Sequence, residues 1–176
     1  MRDLMEQSFD QRSVGDKVSV YRETINHLES LLAEDHDLIA SLANTSALLK
    51  FNFGSFSWVG FYLLRSDRGL VVGPFQGKPA CVRIEIGKGV CGTAAKKGET
   101  IIVEDVSKFP GHIACDPMSR SEIVVPIWDD GRVVAVLDVD SENPANFDET
   151  DKYYLEKVAE SLTHKFQKSR QAGSIL

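Results

Sequence analysis

The stretch Ser121 to Ser141, SEIVVPIWDDGRVVAVLDVDS, sets two apolar, β-branched runs on either side of Asp129, Asp130 and Gly131, and reads as an antiparallel hairpin. How the turn closes decides where Glu122, Asp138 and Asp140 point. A two-residue Asp-Gly turn pairs Ile123 with Asp138 and mixes apolar and charged side chains on each face. A three-residue loop, with Gly131 in the left-handed conformation, pairs Trp128 with Arg132 and Glu122 with Asp138, and the faces then separate. One face holds Ile123, Val125, Ile127, Val133, Ala135, Leu137 and Val139, fit to pack beneath helices. The other holds Glu122, Asp138 and Asp140 at one end, with Val124, Pro126, Val134 and Val136 behind them. Like charges facing each other destabilise a sheet, which leaves two readings. Either this is a solvated strand end, or it is a site for a cationic group where crowding keeps a carboxyl protonated.

Working outward, the next strands precede the hairpin. SFSWVGFYLLRSD and GLVVGPFQG flank a turn signal at Asp67 to Gly69 and form a second hairpin, and ACVRIEIG alternates as a third strand. Trp58 and Tyr62 share strand parity and project from one face, as core or as a pocket wall. GKGVCGTAAKKGE is a short helix stopped by Gly98, followed by the strand TIIVED. Val106 to Arg120 is a long irregular loop of the kind that carries chemistry. Apolar spacing from Asp16 through Leu49 gives two helices or one bent one. A last helix starts near Asp148, with Leu155, Val158, Ala159, Leu162 and Phe166 on one face. The order is α+β: an antiparallel sheet with long terminal helices on one face.

A chain of 176 residues with 43% hydrophobic content suits a single domain, expected over 16–170 after a flexible N-terminal arm over 1–15. A net charge of −6 without a Lys/Arg run argues against nucleic acid and anionic membranes as partners. There is no apolar run of the roughly 18 residues a membrane span requires, and no secretory h-region, so a cytoplasmic location is expected. Three cysteines form no disulfide framework of the kind small secreted domains use.

Those cysteines, Cys81, Cys91 and Cys115, lie within 35 positions of one another. Zinc is one reading, because His112 and Cys115 make an H-x-x-C spacing that Cys81 and Cys91 would complete, although no C-x-x-C pair is present. Thiol redox chemistry is the other; it needs a nucleophile and a partner thiol within reach. Local electrostatics favours Cys91 as nucleophile, since a helix N-terminus favours thiolate, whereas Cys115 has the access of a loop. Sequence physics leaves that choice open. His112 either lowers a neighbouring thiol's pKa or is simply solvated.

The segments WVGFYLL, VVGPFQGKPACVRIEIGKGVCGTAA, VEDVSKFPGHIACD, SEIVVPI and VLDVDS resemble the free methionine-(R)-sulfoxide reductases, a family of stand-alone GAF-domain enzymes. The likeness runs from about residue 20 to 165. It implies a GAF fold with a six-stranded antiparallel sheet, a pocket on the face away from the terminal helices, and a homodimer. It implies reduction of free methionine (R)-sulfoxide without a metal or bound cofactor, with a thioredoxin-type dithiol as external reductant. By resemblance Cys115 corresponds to the nucleophile, Cys81 to the main resolving thiol and Cys91 to the third family cysteine. Glu122, Asp138 and Asp140 correspond to the pocket carboxylates, and Trp58 and Tyr62 to the aromatic wall. Glu122 is the expected proton donor to the departing oxygen. The other class of reading is a sensory GAF module that binds a small ligand without turnover.

Overall fold

The computed structural model describes residues 14–34, 37–65 and 69–171. Helices α1 (Val14–Glu34) and α2 (Leu38–Asn52) lead into strands β1 (Trp58–Arg65), β2 (Gly69–Gln76) and β3 (Arg83–Ile84). Helix α3 (Gly89–Lys97), strands β4 (Ile101–Val103), β5 (Ser121–Asp129) and β6 (Arg132–Ser141), and helix α4 (Glu149–Gln171) complete the chain. The strands form one sheet in the order β3-β2-β1-β6-β5-β4, with every neighbouring pair antiparallel. The expected arm over 1–15 falls almost wholly outside the described residues; helix α1 already includes Val14 and Gly15, ahead of the expected start at Asp16. The turn signal at Asp67 also lies outside them, while the hairpin it was expected to join is present, with Arg65 opposite Gly69.

The β5–β6 hairpin separates its faces by a route other than the one expected. Asp130 and Gly131, at φ 52° and 73°, form a two-residue turn, and Asp129 pairs with Arg132 and Trp128 with Val133. Such turns require positive φ at both central residues, which glycine and aspartate tolerate. Past them a bulge inserts Val134, and the register resumes with Ile127 opposite Ala135. Glu122 therefore opposes Asp140, not Asp138, and Asp138 sits opposite Val124. The bulge also exchanges two valines between the faces: Val134 packs with the helical core and Val133 with the pocket-side cluster.

Two apolar clusters follow, one on each face of the sheet. The larger joins Ile123, Val125, Ile127, Leu137 and Val139 to α1, α2 and α4, and includes Leu155, Val158, Ala159, Leu162 and Phe166, as the helical spacing predicts. Helix α4 is anchored at its start by a reciprocal cap. The Asp151 backbone N–H donates to Asp148 Oδ1 at 3.1 Å, and the Asp148 N–H donates to Asp151 Oδ2 at 2.8 Å. The smaller cluster holds Trp58, Tyr62, Leu70, Ile84, Val90, Cys91 and Val136 beneath α3.

The third strand is shorter than expected: only Arg83 and Ile84 pair with β2, and Cys81 lies in the preceding loop. That loop is covalently linked to the 111–119 segment, as described below, and Val82 keeps one bond to β2, its carbonyl accepting from the Val72 N–H at 3.1 Å. Helix α3 ends at Gly98, in the left-handed conformation, as its sequence predicts. The long loop from Val106 contains one 3-10 turn, Val106–Lys108, and is otherwise irregular.

Candidate active site

The acidic end of the hairpin, the aromatic pair of β1, the start of α3 and the 111–119 loop converge on one pocket. It encloses about 40 Å³ of space, room for a few waters. Every residue the sequence nominated lies in or around it. Trp58, Tyr62, Cys91, Cys115, Glu122, Asp138 and Asp140 line it, and Cys81 is bonded to Cys115 at its edge.

The aromatic wall has a second role. Trp58 and Tyr62 stack with ring centroids 6.0 Å apart, and Trp58 stacks on Phe75 at 5.3 Å. The Trp58 Nε1–H donates to the Lys78 carbonyl at 3.1 Å and the Tyr62 hydroxyl donates to the Cys81 carbonyl at 3.1 Å. Buried aromatic bodies with polar tips thus pin the loop that carries Cys81. Gly77, at φ 136°, passes so close to the Trp58 ring that a Cβ would come within 2.5 Å of it. From the other side, Lys78 reaches Asp116 at 2.9 Å and so ties the Cys81 loop to the Cys115 loop.

Across that junction Cys81 and Cys115 form a disulfide, with Cα atoms 5.5 Å apart, within the range such bonds require. The four-ligand zinc set of His112 with all three cysteines is therefore not available in this state. Cys91 keeps a free thiol and is buried, 3% exposed. Its Sγ lies 3.9 Å from Glu122 Oε1. Burial, then the charges of Asp138 and Glu122, push this thiol well above its ordinary pKa. The helix-terminus argument for a reactive Cys91 thus fails, because two tertiary carboxylates and desolvation oppose thiolate there more strongly than a helix end favours it. Gly92 permits the arrangement: a Cβ there would fall 2.2 Å from the Glu85 carbonyl oxygen, so only glycine lets α3 press against the 85–87 turn.

Glu122 and Asp138 are each only 6% exposed, which excludes the solvated strand-end reading. Burial pushes Glu122 well above the carboxylate range, and the charges of Asp138 and Asp140 add to the effect. Asp138 is raised by burial, and Asp140 by burial and then by the charge of Asp138. The three share fewer charges than their number, and protons remain on the cluster near neutral pH. Asp138 Oδ1 is buried with no hydrogen-bond partner among the described residues. His112, expected to be a solvated loop residue or a thiol activator, instead places Nε2 3.7 Å from Glu122 Oε2. Burial lowers its pKa from the ordinary histidine value. Sequence reasoning missed Asp116 and Ser119, which also line the pocket; Ser119 hydrogen-bonds Asp140. Their position in the polar loop after Cys115 was the only signal available.

A disulfide between two loop cysteines beside a buried acid cluster, on a six-stranded α+β sheet, is an arrangement that thiol-redox proteins use. The GAF domain model matches residues 36–164. Protein YtsP of Bacillus subtilis is 50% identical over 153 residues, covering 86% of this chain and 94% of its own. The free methionine-R-sulfoxide reductase of Escherichia coli is 44% identical over 146 residues, covering 83% of this chain and 88% of its own. The X-ray structure of free methionine-R-sulfoxide reductase from Neisseria meningitidis in complex with its substrate superposes with a TM-score of 0.86 at 53% identity, covering 92% of this chain and 97% of that one. The chain belongs to the free methionine-R-sulfoxide reductases, a family of GAF-domain enzymes.

Proposed function

We propose that the chain reduces free L-methionine (R)-sulfoxide to L-methionine with Cys115 as nucleophile. The observation that carries this reading is the Cys81–Cys115 disulfide, which seals the edge of a pocket lined by buried acids. In the reduced enzyme the Cys115 thiolate attacks the sulfoxide sulfur, and the proton on Glu122 passes to the oxygen, which is otherwise a poor leaving group. The protonated oxygen then transfers from the substrate sulfur to Cys115 Sγ as the bond between the two sulfurs breaks, so methionine departs and Cys115 is left as a sulfenic acid. The Cys81 thiol then attacks that sulfur; water leaves and the disulfide forms. A thioredoxin-type dithiol restores both thiols by exchange. Cys91, with its proton held by burial, is a reserve partner for exchange and not the attacking group.

Asp138 and Asp140 receive the substrate's ammonium, whose charge offsets the repulsion between them and displaces protons from the cluster. Trp58 and Tyr62 face the methyl thioether end. A sulfoxide within a peptide chain lacks the ammonium and would leave these carboxylates buried and unpaired, which accounts for a preference for the free amino acid. The same reading has the enzyme working as a cytoplasmic homodimer with no bound cofactor. Among the described residues no helix is long and apolar enough to cross a membrane.

The test is methionine release from separated R and S epimers with thioredoxin recycling, for the wild type and Cys115→Ser. R-selective turnover that disappears in Cys115→Ser is the expected result. Turnover that survives the substitution would overturn the role of Cys115, and folded wild-type enzyme without turnover would return the chain to the ligand-sensing reading.

A further inference from the structure

We propose that the pocket of the disulfide form binds a thiophilic divalent cation through Cys91 Sγ and the carboxylates of Glu122 and Asp138. One ligand atom from each of these three buried residues lies within 4.8 Å of the others. The sulfur and Glu122 Oε1 are 3.9 Å apart. In a tetrahedral zinc-type site, with metal–sulfur near 2.3 Å and metal–oxygen near 2.0 Å, sulfur and oxygen ligands are separated by about 3.5 Å. A small inward movement of side chains would close the cluster onto an ion.

A second, independent observation points to a cation. Asp138, only 6% exposed, lines this pocket, and its Oδ1 is buried with no hydrogen-bond partner among the described residues. An acceptor in that position is stabilised by a positive ligand. His112 lines the same pocket, with Nε2 3.7 Å from Glu122 Oε2, and stands beside the three-atom group. The cavity of about 40 Å³ admits an ion with a water ligand. One sulfur and two carboxylates select zinc or cadmium over magnesium or calcium, which take oxygen ligands. Binding is not a redox step: the thiol proton and any carboxyl proton pass to solvent as the ligand bonds form. The ion would occupy Asp138, assigned above to the substrate's ammonium, and Glu122, assigned above as the acid, so metal and substrate exclude each other. That consequence rests on the sulfoxide reading; the binding itself does not.

The disulfide form makes the test clean, because Cys91 is then the one thiol left of the chain's three cysteines. The full chain, confirmed as oxidised by intact mass, is titrated with cadmium ion and followed by the ultraviolet thiolate-to-cadmium charge-transfer band. The expected result is a band that saturates at a single equivalent and is lost in Cys91→Ser. Glu122→Gln and Asp138→Asn should each weaken binding by about tenfold or more, the least that even outer-shell partners of a metal site cost. Wild-type protein without a band overturns the proposal before any variant is made. A band that persists in Cys91→Ser, or that neither carboxylate variant weakens, also overturns it. No turnover is involved, so this result and the epimer assay fail or succeed separately.

Discussion

Each face of the sheet buries an aspartate, and the two are solved in opposite ways. Asp151, fully buried on the helical side, accepts from Lys17 Nζ at 2.5 Å, from the Tyr21 hydroxyl at 2.7 Å and from the Asp148 backbone N–H at 2.8 Å. Asp138, on the pocket side, has Cys91 and Glu122 as its nearest polar neighbours, and one of its oxygens has no partner. Burial pushes both carboxyls upward; a lysine, the cap and Tyr21 pull Asp151 back, whereas only a thiol and a second acid, Cys91 and Glu122, pull on Asp138. A buried carboxylate that is given a cation and two donors clamps α1 to α4. A buried carboxylate left short of them is suited to receive a charge from outside.

The largest effect that would sharpen the contrast is kinetic. Glu122→Gln keeps the shape of the acid and removes its proton, and kcat for free sulfoxide should fall by about 10²- to 10⁴-fold, the usual contribution of a positioned acid. Wild-type kcat in this variant would show that the pocket acids do no proton chemistry. On the other face, Lys17→Met leaves Asp151 without its cation and should cost about 3 kcal/mol in urea unfolding, as for the loss of one partner of a buried pair. The kinetics of the refolded variant should stay near those of the wild type.

The sign reverses for Asp138→Asn, which keeps the shape but removes a buried charge beside two other carboxyls, and should stabilise the substrate-free protein by about 2 kcal/mol. Because the folded pKa of Asp138 is raised above its unfolded value, its contribution is most favourable below the unfolded carboxylate pKa, near 4, and is lost as pH climbs through the folded value. The wild type should therefore lose melting temperature between about pH 4 and neutrality, and Asp138→Asn should flatten that slope. A slope unchanged by the substitution would remove the distinction between the two aspartates. The smallest effect is at the aromatic wall: Tyr62→Phe deletes the bond to the Cys81 carbonyl and should cost about 1 kcal/mol. It should also slow formation of the Cys81–Cys115 bond in a quenched thiol assay, since the Cys81 loop loses an anchor.

Much of the architecture was legible because alternation along 121–141 allows few pairings that leave a clean apolar face. The bulge was not, and the reason is local: Val133 and Val134 are identical neighbours, so a slip between them puts a valine on either face at no cost in pattern. The length of β3 was hidden because the alternation in ACVRIE says nothing of a tether to Cys115, 34 residues from Cys81. Strand parity put Trp58 and Tyr62 on one face, and a three-residue hairpin loop put Glu122, Asp138 and Asp140 on one face; that the two faces coincide was left open in the sequence. The character of Cys91 and the placement of His112 were not legible, because both depend on Glu122, which lies 31 residues beyond the first and on a different element from the second.

Cys81 precedes the edge strand β3, and Cys115 follows β4, the strand at the opposite edge. The bond between them is a buckle across the open face of the sheet, joining segments that the ladder keeps five strands apart. On the proposed cycle each turnover fastens that buckle and each visit from the reductant releases it. The rigidity of the whole domain then oscillates with its oxidation state, and resistance to a protease becomes a gauge of how much reductant the surroundings supply.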